Sequence, residues 1–81
     1  MTPRKILVVE DESIVASDIR SSIGRVGHEV AGWATTGDEA IALAEKHRPD
    51  LVLMDIRLKG EMDGIEAAEH IRKNMDIPVV F

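Results

Sequence analysis

Eighty-one residues, 44% of them hydrophobic and only Trp33 and Phe81 aromatic, make one domain at most, with a core of Val, Ile, Leu and Ala. Fifteen acids against ten bases leave a net charge of −5, and the bases are scattered without aromatic neighbours, which argues against direct nucleic-acid contact by this segment. With no cysteine there is neither a disulfide framework nor a thiolate metal site; the apolar run after Lys5 is too short for a signal-peptide core or a membrane span, so the chain reads as soluble and cytoplasmic.

In chain order, Lys5 to Val9 is unbroken and rich in Val and Ile, the pattern of a strand buried on both faces. Ser13 to Arg25 carries Val15, Ile19, Ile23 and Val26 near helical spacing, with Gly27 as a stop. Glu29 to Ala34 is a second short strand. Thr36, Gly37 and Asp38 signal the start of a helix to about His47, with Ala40, Ile41 and Ala44 inward, and Pro49 closes it. Asp50 to Asp55 is the third strand, and a loop from Ile56 to Asp63 follows. Asp63 is placed to cap a helix from Gly64 to about Met75, with Ile65, Ala68 and Ile71 inward. Pro78 opens a fourth strand, where its missing N–H is tolerated.

Strict alternation of strand and helix predicts an α/β, doubly wound parallel sheet with right-handed crossovers and helices on both faces. A sheet that stops at its fourth strand keeps an open edge and part of one face uncovered. Residues 1–81 therefore read as the N-terminal portion of a larger domain; self-association through the open edge is the alternative way to cover it.

Chemistry concentrates at two strand ends. Glu10, Asp11 and Glu12 follow the first strand and Asp55 ends the third. If these strands are neighbours, about 5 Å apart, the acids share one rim of the sheet, where open α/β sheets bind ligands. All-oxygen donors suit Mg²⁺ with phosphate oxygens, and a carboxylate beside such an ion can accept a phosphoryl group. Taken alone, the cluster Glu10, Asp11 and Glu12 is better explained by acids favouring a helix N-terminus than by a metal site; it is the pairing with Asp55 at a second strand end that favours the functional reading. His28, His47 and His70 lack ligand spacing, Met54, Met62 and Met75 are packing residues, and neither a dinucleotide nor a P-loop motif occurs.

The ordered blocks Ile6-Leu7-Val8-Val9-Glu10-Asp11-Glu12, Asp50-Leu51-Val52-Leu53-Met54-Asp55, Met62-Asp63-Gly64 and Pro78-Val79-Val80 resemble the receiver domain of two-component response regulators. The resemblance implies a flavodoxin-like sheet, strand order 2-1-3-4 here, with the fifth βα unit and the helix before it outside these residues. It implies that Asp55 is the phosphoacceptor, taking its phosphoryl group from a histidine kinase or phosphotransfer protein. It implies Mg²⁺ held by Asp11 directly, by Glu10 through water, by Asp55 and by the backbone carbonyl of Arg57. The role implied is a signalling switch, not a metabolic enzyme, its chemistry confined to its own phosphorylation and dephosphorylation. Two departures stand out. The loop Ile56 to Met62 is one residue longer than the commonest version and lacks its proline, and the family's switch Ser/Thr and its lysine would lie past Phe81. Two other readings remain: a Mg²⁺-dependent phosphohydrolase with an aspartate nucleophile, weakened by Ser13 standing two residues after Asp11, and an interaction module that keeps only the fold.

Overall fold

The computed structural model describes residues 2–81. Strands β1 (Lys5–Val9), β2 (Glu29–Ala34), β3 (Leu51–Met54) and β4 (Val79–Val80) alternate with helices α1 (Ser13–Arg25), α2 (Gly37–His47) and α3 (Gly64–Met75). The strands form one parallel sheet, as their alternation with helices implied, in the order β2-β1-β3-β4 of the flavodoxin-like winding that the resemblance implied. The chain steps from β1 outward to β2, then returns across β1 to β3. That reversal opens the crevice between the carboxyl ends of β1 and β3.

The period-2 alternation of strand side chains divides the core between the two faces. Leu7, Val9, Val52 and Met54 pack with Ala40, Ala44, Ala67, Ala68, Ile71 and Met75. Ile6 and Val8 point the other way and meet Ile23 of α1. With α1 as the helix on that side, Leu51 and Leu53 are only half-buried and Val80 stays exposed. Part of this face is uncovered, as the strand count implied.

Two helix faces differ from expectation. Val15 is 38% and Val26 60% exposed, and Ile65 is 50% exposed. Ile23 in α1 and Ala68 and Ile71 in α3 are buried as expected, and the remaining inward positions belong to Ala16 in α1 and to Ala67 and Met75 in α3. Each helix lies close to the sheet on small alanines, and at 100° per residue the neighbouring β-branched side chain is turned toward solvent. The caps agree with the sequence. Thr36 Oγ1 accepts from the Glu39 N–H at 3.1 Å and Asp63 Oδ1 from the Glu66 N–H at 2.9 Å. Asp50 lies just outside β3, and its carboxylate accepts the Lys5 N–H at 2.7 Å, tying the start of β1 to β3.

One irregularity was not visible in the sequence. The β1–β2 register pairs Ile6 with Val30 but Leu7 with Gly32, so Ala31 is an extra residue in β2. A bulge of this kind shifts side-chain parity by one. It places both Val30 and Trp33, three residues apart, on the α1 face.

Candidate functional site

Register brings the acids together. Val9 is paired with Met54, so the next residues, Glu10 and Asp55, leave the sheet side by side. The Asp55 N–H donates to the Val9 carbonyl at 3.0 Å, and the Glu10 N–H donates to the Ala34 carbonyl at 2.9 Å. Continuing strand alternation sends both side chains to the α1 side. Carboxylate oxygens of Glu10, Asp11 and Asp55 lie within 4.8 Å of one another, the one acid cluster of this kind among the described residues. The residues thus fit a hard divalent cation, since all three offer oxygen and neither His nor Cys intrudes.

Hydrogen-bond capping of α1 is not what these acids provide. Glu12 is the N-cap of α1 and makes no side-chain cap bond, and the first turn holds no acid. The Glu10 carboxylate turns back into the connecting loop instead, where Oε2 accepts the Glu12 N–H at 3.1 Å.

Electrostatics single out Glu10, which is 9% exposed. Burial pushes its carboxyl above the ordinary glutamate range, and the charge of Asp55 and hydrogen bonds to Asp11 and Asp55 push the same way; the Glu12 N–H partly opposes them. A divalent ion among the three carboxylates would cancel that repulsion.

The loop after β3 is held at several points. The Arg57 N–H donates to Asp55 Oδ1 at 3.3 Å, which places the Arg57 backbone beside the cluster. Thr36 and Lys59 form an isolated bridge, and the Gly64 N–H donates to the Ile56 carbonyl at 2.9 Å. Gly64 is a close-approach glycine: a Cβ there would collide with the Asp55 carbonyl oxygen and press on Ile56 Cα. The start of α3 therefore rests directly on the backbone of Asp55. The sequence placed Gly64 in the Met62-Asp63-Gly64 block and at the start of a helix, and gave no sign of this close approach.

Trp33 was not singled out as a site residue by the sequence. Its indole Nε1–H donates to the Glu10 carbonyl at 2.7 Å, and the Arg20 guanidinium lies 4.7 Å from its ring centroid. The three histidines stay outside the cluster. His28 Nδ1 accepts the Arg4 N–H at 3.0 Å, and His47 and His70 are exposed. Beside Glu10 and Asp55, Ile19, Leu53, Val80 and Phe81 line an open cleft of about 310 Å³. No described helix is long and apolar enough to cross a membrane.

With this geometry in hand, the chain can be set against known proteins. Residues 6–81 match the family model of the response regulator receiver domain. The transcriptional regulatory protein PdtaR of Mycobacterium tuberculosis is 41% identical over 78 residues, which cover 96% of this chain and 38% of PdtaR. The crystal structure of the response regulator PhyR from Brucella abortus superposes with a TM-score of 0.92 at 42% identity, covering 99% of this chain and 33% of that one. PhyR from Bartonella quintana, described as an anti-anti-sigma factor and crystallised with the anti-sigma factor NepR, gives 0.90 at 37% identity over 98% of this chain and 33% of its own. The chain thus spans between a third and two-fifths of the length of these relatives.

Proposed function

The chain belongs to the response regulator receiver family, and on that premise we propose that it is a phosphoaccepting signalling switch. Asp55 is the acceptor. One of its oxygens attacks the phosphorus of a phosphohistidine on a histidine kinase or phosphotransfer protein; the P–N bond breaks, the departing imidazole nitrogen takes a proton from solvent to leave as neutral histidine, and an acyl phosphate remains on Asp55. Water later attacks that phosphorus, releasing inorganic phosphate and restoring the carboxylate. Asp11, Asp55 and the Arg57 backbone carbonyl would hold Mg²⁺, with Glu10 acting through water, and the ion would supply positive charge to offset that of the carboxylates and the phosphoryl oxygens.

The observation that carries this reading is the convergence of three carboxylates from β1 and β3 within 4.8 Å, at the crevice where the strand order reverses. An aspartate on the strand tip, partly open to solvent, is accessible to a phosphodonor, whereas Glu10 is buried beneath the rim. The acquired charge biases the molecule between two arrangements of its loops, with the histidine kinase as the input partner.

Asp55→Asn tests the assignment. Incubation with acetyl phosphate and Mg²⁺ labels the wild-type protein with acid- and alkali-labile phosphate, and the variant takes none. Labile phosphate persisting on Asp55→Asn overturns the reading. Turnover of a generic phosphomonoester that depends on Asp11 and not on Asp55 would favour the phosphohydrolase instead.

A further inference from the structure

The peptide unit between Glu10 and Asp11 joins two members of the acid cluster, and its orientation decides where both side chains begin. It lies past Val9, the last residue of β1, where strand pairing with β3 has ended. Its carbonyl accepts from Trp33 Nε1 of the adjacent strand β2 at 2.7 Å, and the N–H of Glu10 is fixed to the Ala34 carbonyl at the end of that same strand. Trp33 reaches this position only because the Ala31 bulge turns it to the α1 face. Arg20 of α1 lies over the indole and also donates through Nε to the Ala16 carbonyl at 3.4 Å. A cation over the ring face draws electron density from the indole and makes its N–H a better donor.

We infer that Trp33 is a positioning residue for the cation site: its indole N–H locks the Glu10–Asp11 peptide so that both carboxylates face Asp55, and Arg20 strengthens that lock. The inference rests on the cation reading proposed above. It assigns to Trp33 the role of outer support for metal-binding groups, a class of contact whose loss typically weakens metal affinity ten- to a hundredfold. Trp33 touches no carboxylate itself; it acts through the backbone. Because it is the chain's one tryptophan, its fluorescence reports on this contact alone.

The experiment separates the N–H from the ring. Global replacement of tryptophan by benzothienylalanine during expression changes residue 33 only, keeping the bicyclic shape and packing while removing the donor. Trp33→Phe is the encoded counterpart. Mg²⁺ is titrated by calorimetry into the wild-type chain and both variants, with circular dichroism establishing that each is folded, and wild-type indole emission is followed through the same titration. The expected result is that Mg²⁺ shifts Trp33 emission with the calorimetric midpoint, and that both variants bind Mg²⁺ about tenfold more weakly. A purely structural role predicts lower thermal stability of Trp33→Phe with Mg²⁺ affinity within twofold of wild type in the isosteric variant, and that outcome overturns the inference. Failure of the wild-type chain to bind Mg²⁺ overturns the cation reading itself, a result distinct from the first.

Discussion

Glu10 and Asp55 share a rim where their carboxylates oppose each other's ionisation, and this fixes how single residues respond to pH and substitution. The folded-state pKa of Glu10 is raised above the ordinary value near 4.5, so between the two values the native state holds more proton than the unfolded chain. In metal-free buffer, stability therefore falls as pH rises through that window, and the loss is complete above the folded-state value. Urea unfolding from pH 4 upward checks the sign; a rise across the window attributable to Glu10 (absent in Glu10→Gln) contradicts it. Asp55→Asn removes one of the repelling charges and should stabilise the metal-free protein by about 1 to 3 kcal/mol at neutral pH. Saturating Mg²⁺ should shrink that gap. The acids were legible in the sequence because each follows an apolar run and the alternation of elements made β1 and β3 candidate neighbours. Trp33 and Gly64 were not, since their roles depend on atomic approaches that residue type alone does not reveal.

Elements were readable where their ends carry local chemistry. Thr36 and Asp63 announce α2 and α3 because a short side-chain oxygen is what an unpaired helix N–H requires. Thr36→Ala and Asp63→Ala should each cost about 1 kcal/mol in urea unfolding. The other ends of these helices are less well served. Arg48 (φ 46°) and Asp76 (φ 56°) close them in the left-handed region that favours glycine. Arg48→Gly should therefore stabilise the protein by roughly 0.5 to 1 kcal/mol. Helix faces were read less accurately than helix ends. Val15, Val26 and Ile65 drew attention by size but are exposed, whereas Ala16 and Ala67, which did not, are fully buried beside the expected Ala68, and such small side chains let the helix axis approach the sheet. The bulge at Ala31 left no sign because the shift of parity falls at Ala31 and Gly32, whose small or missing side chains do not mark a face.

At the scale of the molecule, the two faces of the sheet are unequally covered. One is sealed by α2 and α3, while beyond α1 the other presents Leu53, Val80 and Phe81 around a cleft of about 310 Å³. Val80 and Phe81 are 49% and 54% exposed, on and beside the short edge strand β4. Apolar surface next to an unpaired edge favours pairing with a second copy. Residues 1–81 should self-associate with rising concentration, and sedimentation velocity over a hundredfold range checks this; a constant monomer throughout would contradict it. Val80→Lys should shift the equilibrium toward monomer. The contact of Gly64 with Asp55 has a different consequence for the whole. A hinge needs clearance, and between the main chain of Asp55 and the first residue of α3 there is none. Displacing that strand tip must drag the helix along, so a disturbance arriving at Asp55 has a mechanical route to the opposite side of the sheet, one that a single added methyl group would jam.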